Sequence, residues 1–291
     1  MFLYVWEVNV KKIALIHDLS GFGRCSLTAA IPVISVLGIQ ACPIPTAILS
    51  AQTGFPNYYC DDFTDRMDYI TDEWKEMNVT FDGIYSGYLA SPLQIKKVLR
   101  FFDTFQGEDT MYLVDPVMGD HGRKIRIFTQ ELLDGMKELI LRADVITPNL
   151  TELCLLADED YAEIIRHQQK QDYLQRLENV CKRLLKRALK KQIIIVTGII
   201  REENGQEYVG NLAVSHEETF YLETPYTGMG FSGTGDLFAS VICGSMVNGL
   251  SIQEAIKKAT DFLQEAIEDA SKEKIASNHG VYFEKYLKKL L

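Results

Sequence analysis

The sequence predicts an α/β fold with a mostly parallel central sheet, and three observations carry that expectation. Short, β-branched apolar runs alternate with longer amphipathic ones over most of the chain. The short runs are apolar throughout rather than at every second residue, as strands covered on both faces must be. Acidic or glycine-rich motifs follow several of them, at the carboxyl ends where ligands gather in such sheets.

The first run, KIALIH from Lys12 to His17, passes through a glycine-containing loop into SLTAAIPVISVLG, which ends at Gly38, a β-loop-α start. GIYSG (Gly83 to Gly87) precedes SPLQIKKVLRFF, where Ser91 is a good N-cap, Pro92 suits the first helical turn and Gln94 completes a capping box. MYLVDP leads into a helix starting near Thr129. DVITPN and QIIIVTG add two apolar strands, the second after a long helical stretch predicted from about Tyr161 to Lys190. EYVGNLAVS and TFYLETP read as a β-hairpin added at one edge, turning around His216 and Glu217. Two helices follow, from Gly235 and from Ser251, the second with a capping box ending at Glu254. With no linker, repeat or low-complexity segment, residues 1–291 are expected to form a single domain.

Of the 291 residues 47% are hydrophobic and 24% charged, with 20 Gly and 8 Pro, a balance that supplies a large core and excludes disorder. The formal net charge of -10 repels nucleic acid and anionic membranes, so neither is an expected partner, and an anionic ligand needs a local positive site. The six cysteines contain no CxxC pair and sit mostly among apolar neighbours, which suits free thiols in a reducing cytoplasm. The five histidines lack zinc-ligand spacing. No apolar run approaches the roughly 20 residues that span a bilayer. The opening MFLYVWEVNVKK is interrupted by Glu7 and has neither a preceding basic segment nor a small-residue cleavage site, so no export signal is expected.

The chemistry concentrates in four stretches. GFSGTGDLFASVICG, from Gly230 to Gly244, sets glycines, a threonine and an acid before an apolar helical run. Glycines let consecutive N–H groups turn into one concavity, and the positive end of the next helix adds to it, so Gly233, Thr234 and Gly235 make an anion site without lysine. Asp236 would lie beside the anion, where a carboxylate can take a proton from an attacking hydroxyl. Alone, the motif is better described as an acid complementing a helix dipole after a tight entry. VDPVMGD adds Asp115 at the end of a strand and Asp120 in the next loop, a pair suited to Mg²⁺ through waters, although Asp-Pro is also a common turn. TPNLTEL adds Thr147, Asn149 and Glu152, where Asn149 and Glu152 form an ordinary capping box that also sets Glu152 at a strand's carboxyl end.

HDLSGFGRCS has Gly21 and Gly23, but Ser26 stands where a third glycine belongs, and no acid follows about 20 residues on. The dinucleotide fingerprint fails, and a nicotinamide-dependent oxidoreductase with it. The loop still shapes a pocket, with Asp18 as an acceptor at the strand tip. CKRLLKRALKK, from Cys181 to Lys191, carries Leu184, Leu185, Ala188 and Leu189 at helical spacing and reads as a solvated helix. Tyr58, Tyr59 and Cys60 fit either a flap over a substrate or packing against the next helix.

DPVMGD, TPNLTEL and GFSGTGD, in this order and separation, resemble the ribokinase-like superfamily and, within it, the pyridoxal, pyridoxine and pyridoxamine (vitamin B6) kinase branch, from Lys12 to about Ala270. The resemblance implies a three-layer α/β/α fold and transfer of the ATP γ-phosphate to a hydroxymethyl group. It implies Asp236 as catalytic base and Gly233, Thr234 and Gly235 as the anion hole. It places Asp115, Asp120 and Glu152 around Mg²⁺ and the ATP phosphates, Thr147, Asn149 and Thr197 on the nucleotide side, and Asp18, Thr53 and Tyr88 on the substrate side. It leaves room for a monovalent cation such as K⁺ and, by family analogy, implies a homodimer. The first loop is closer to hydroxymethylpyrimidine kinases, since B6 kinases usually carry Ser where this chain has Asp18. That pyrimidine branch, however, typically shows Gly-Thr-Gly-Cys where Asp236 follows Gly235 here. A non-catalytic vitamin or nucleotide sensor of the same fold has no need of a base at that position.

Overall fold

The computed structural model describes residues 10–291; the apolar opening lies outside the described residues. The chain runs β1 (Lys12–Ser20), α1 (Ser26–Val36), β2 (Gln40–Leu49), β3 (Cys60–Asp62), α2 (Thr64–Glu76), β4 (Gly83–Ser86), α3 (Pro92–Phe105) and β5 (Met111–Val114). A small ribbon, β6 (Gly119–Asp120) and β7 (Arg123–Lys124), precedes α4 (Gln130–Ile140), β8 (Val145–Ile146), α5 (Leu150–Ala157), α6 (Tyr161–Ile165) and α7 (Tyr173–Leu185). Then come β9 (Ile193–Glu203), β10 (Gln206–Val214), β11 (Thr219–Pro225), α8 (Thr234–Val247) and α9 (Ile252–Lys272), with 3₁₀ turns at Ser277–His279 and Phe283–Leu290.

Nine strands form one sheet in the order β11-β10-β9-β8-β5-β4-β1-β2-β3. The six from β9 to β2 are parallel, while β10, β11 and β3 are antiparallel additions at the edges. The period-2 alternation of strand side chains divides the core into two layers. Ile13, Leu15, Tyr85, Leu113, Val145 and Ile195 pack with α1, α8 and α9 on one face. Ala14, Ile16, Ile84, Val114, Ile146 and Ile194 pack with α2 to α7 on the other. The three-layer α/β/α expectation and the edge hairpin are therefore realised.

Three local expectations change. The helix predicted from Tyr161 to Lys190 is interrupted between α6 and α7, because RHQQKQD supplies no apolar stripe to bury, and Gln168 instead donates to the Ile200 carbonyl at 2.7 Å. Gln94 does not complete a capping box: Ser91 Oγ accepts from its N–H, but its buried amide accepts from Ala90 N–H and donates to Thr46 O. QACPIPTAIL was not expected to be a strand, yet it forms β2. Pro43 and Pro45, two residues apart, lack their N–H groups on the same side of β2, away from β1, and β3 pairs only with Ala47–Leu49, so neither proline interrupts a ladder.

From β1 the chain moves to β2 on one side, then returns to β4 on the other and continues outward. The carboxyl ends of β1 and β4 thus flank the point where the winding reverses, the place such sheets leave for a ligand.

Candidate active site

At that reversal stands the first turn of α8. Gly233 is its N-cap residue, with φ +82°, and a Cβ there would lie 1.8 Å from the Arg24 carbonyl oxygen, so the two loops close on each other only through glycine. No side chain caps the helix, which leaves its first N–H groups for a ligand. Thr234 Oγ1 bonds the Phe231 carbonyl at 3.0 Å and fixes the entry.

Asp236 is held at both oxygens. Its Oδ2 accepts the Ser26 N–H at 2.8 Å, and its Oδ1 lies 3.0 Å from His17 Nε2. His17 follows Ile13 and Leu15 in the strand alternation, so its ring points toward α8. Its Nδ1 lies 3.3 Å from Asp18 Oδ1 and 3.2 Å from the Asp18 main-chain nitrogen. Burial alone would lower the imidazole pKa, but the two carboxylates outweigh it and push it up to about 10. Asp18 is itself buried, with the Ser26 hydroxyl on Oδ1 (2.6 Å) and the Ser20 hydroxyl on Oδ2 (2.9 Å). Both oxygens of this acceptor expected at the strand tip thus already have partners within the protein.

A cleft of about 1000 Å³ extends from Asp236 along the carboxyl edge of the sheet, past Asp115, Thr147, Asn149, Glu152 and Thr197. Thr147 donates to Asp115 at 2.9 Å, and burial together with the Asp236 charge raises the Asp115 pKa. Glu152 takes part in the capping box with Asn149 and also accepts from Met118 N–H at 3.0 Å, so the helix-capping role is real. Burial and Asp115 raise its pKa in turn. Asn149 donates to the Gly119 carbonyl and bridges to Thr197 across the strand ends.

The three acids expected around one metal do not converge. Asp120 sits on the rim with its side chain 70% exposed and accepts the His121 N–H. Among the described residues, no three His, Cys, Asp or Glu side chains are grouped to hold an ion. The cleft lining contains acids but no Lys or Arg.

Tyr88, expected on the substrate side, is half-buried, and burial together with the Asp18 charge pushes its phenol up to about 12. Thr53 is exposed and lies outside the cleft lining; its neighbour Gln52 is the buried one, donating to the Asn278 carbonyl at 2.8 Å. Tyr58 and Tyr59 are exposed rather than packed on α2, and Ser50 N–H bonds the Tyr59 carbonyl to close their loop. His17 and Ser26 were not expected at the site. The alternation of β1 signals the first, whereas the second depends on a loop conformation that no local motif announces.

Residues 25–282 match the phosphomethylpyrimidine kinase family, and the chain belongs to it. Among solved structures, a provisionally named phosphomethylpyrimidine kinase of Bacteroides thetaiotaomicron is 38% identical in its rhombohedral form, with a TM-score of 0.90 over 98% of this chain and 96% of that one. Its orthorhombic form with pyridoxal is 39% identical, with a TM-score of 0.86 over 97% and 96%. A pyridoxal kinase of Actinobacillus pleuropneumoniae is 27% identical over 69% of this chain, which spans 65% of that relative's length. The resemblance to ribokinase-like kinases read from the motifs agrees with these relatives. No helix among the described residues is long and apolar enough to cross a membrane.

Proposed function

We propose that the protein transfers the γ-phosphoryl group of ATP to the 5'-hydroxymethyl group of a B6 vitamer (pyridoxal, pyridoxine or pyridoxamine), the salvage route to the 5'-phosphate. The observation that carries it is Asp236 in the first turn of α8, beside uncapped N–H groups at one end of a cleft of about 1000 Å³. The acceptor oxygen forms a bond to phosphorus as the bond to the β-phosphate oxygen breaks; the hydroxyl proton passes to Asp236 and ADP leaves. The N–H groups of Gly233, Thr234 and Gly235 hold the charge on the transferred group. Thr147, Asn149 and Thr197 lie on the nucleotide side, and Tyr88 on the acceptor side.

A triphosphate entering a cleft lined by Asp115, Asp120, Glu152 and Asp236, without Lys or Arg, needs its charge balanced by cations. The cleft's acids could hold Mg²⁺ on the bound phosphates through water, Asp115 and Glu152 from inside the cleft, while Asp120 stands apart on the rim. When bound, the metal neutralises phosphate charge. A K⁺ ion, a homodimer, a single-domain chain and a cytoplasmic location belong to the same reading.

The substrate class draws on the Bacteroides relative in its form with pyridoxal and on the Actinobacillus pyridoxal kinase. A second reading, phosphorylation of hydroxymethylpyrimidine or its phosphate, is favoured by the family's own description. Purified protein with ATP, Mg²⁺ and, separately, pyridoxal, pyridoxine, pyridoxamine and hydroxymethylpyrimidine, with products identified by mass, separates them. Phosphorylation of the pyrimidine alone would replace the B6 reading, and binding without product would indicate a sensor.

A further inference from the structure

His17 is the only buried histidine among the described residues, and the transfer chemistry above does not use it. A neutral core imidazole offers one N–H donor and one acceptor nitrogen; this one stands between two carboxylates, both acceptors and one of them the proposed base. Asp18 behind it is fixed by Ser20 and Ser26, and Ser26 returns its own N–H to Asp236, so the contacts close into a ring joining β1, α1 and α8. The packing admits nothing more: a Cβ on Gly87 would lie 1.9 Å from His17 Nε2.

We propose that His17 is a positioning residue for Asp236, with Asp18 acting through it. The inference rests on reading Asp236 as the base. A carboxylate on a single-bonded stem has a broad terminal torsion. Here the ring nitrogen fixes Oδ1 and the Ser26 N–H fixes Oδ2, so the remaining lone pairs keep one orientation toward the acceptor and no reorganisation is needed during transfer. The ionisable groups around the pair are Asp18 from β1, Cys25 before α1, Tyr85 from β4, Asp115 after β5 and Cys243 from α8. Each is neutral or negative, so no neighbouring cation opposes a positive charge on the ring.

The test compares His17→Leu, which keeps bulk without a donor, with His17→Gln, which keeps an N–H in reach, each with and without Asp236→Asn, using pyridoxal, ATP and Mg²⁺. His17→Leu should lower kcat roughly 10- to 100-fold with KM for ATP within about twofold, and His17→Gln should recover most of the loss. In the Asp236→Asn background, His17→Leu should cost less than about threefold more, because the two act as one unit. Equal losses in both backgrounds would mark a general structural role and overturn the inference. Normal kcat in His17→Leu beside a crippled Asp236→Asn would overturn it alone, whereas full activity of Asp236→Asn would remove the base reading as well. Ring ¹⁵N NMR of the unliganded protein needs neither turnover nor a folded Leu variant: the His17 Nε2 should carry a proton and its signal should move with Asp236→Asn. An Nε2 signal insensitive to that change would overturn the proposal.

Discussion

Replacing Gly233 by alanine should damage stability and turnover together. The residue has φ +82°, and its Cβ would lie 1.8 Å from Arg24 O, 2.8 Å from Arg24 C and 3.0 Å from Cys25 Cα. Left-handed backbone costs a residue with a Cβ about 1–2 kcal/mol. The obstacle is main chain, so no rotamer change relieves it, and the loop before α1 must move, at roughly the 1–3 kcal/mol of an overpacked core. Together these terms come to about 2–5 kcal/mol, and a chain of this size loses roughly 2–4 °C of Tm per kcal/mol, giving a fall of about 4–20 °C. The loop that moves carries Ser26, whose N–H fixes Asp236, so kcat should fall by the roughly 10²- to 10³-fold seen when one aligned donor is lost from a reacting site. Gly38→Ala is the control: φ is +79° but no atom lies within 4 Å of the added Cβ, so only the backbone term applies and kcat should hold. Melting curves and kcat on the same preparations decide the matter. A Gly233→Ala protein no less stable than Gly38→Ala and fully active would refute the close-approach argument.

Asp236→Asn should lower kcat by about 10²- to 10⁴-fold with little change in ATP binding, measured by calorimetry and initial rates; a destabilised but active variant would reduce the acid to a dipole partner. Glu152→Gln should raise the Mg²⁺ concentration needed for half-maximal rate severalfold, and unchanged kinetics would leave Glu152 with its helix cap alone. The His17 pKa is raised from 6.5 to about 10, so the folded protein keeps a proton that the unfolded chain releases in between. That contribution is complete below about pH 6.5 and is lost as pH rises toward 10, so the Tm advantage of the native protein over His17→Gln should shrink across that window. Parallel Tm–pH curves would contradict it.

The parts of this architecture that local chemistry writes into the chain are legible in its sequence. Strands buried on both faces must be apolar throughout, and KIALIH, MYLV and QIIIV are; Ser251 with Glu254 and Asn149 with Glu152 close the capping boxes their spacing requires. β2 was hidden because Pro43 and Pro45 are tolerable only next to an open side, and sheet order, not local sequence, decides which side is open. The acids at Asp115, Asp120 and Glu152 were visible as residues but not as directions: Glu152 is drawn inward by two backbone donors, while Asp120, on a two-residue strand, turns to the rim. Asp18 and His17 show the limit most sharply. Adjacent in a strand, they should face opposite ways, yet they meet at Nδ1, because the pairing of β1 with β2 shifts register between His17 and Leu19 and the Ser20 and Ser26 hydroxyls hold the Asp18 carboxylate beside the ring. The alternation of Ile13 and Leu15 already set His17 on the α8 side of the sheet, and GTGD already set an acid at the start of that helix. Their meeting required only the position of α8 over β1, a tertiary fact, and it brings two separately legible residues within 3.0 Å of each other.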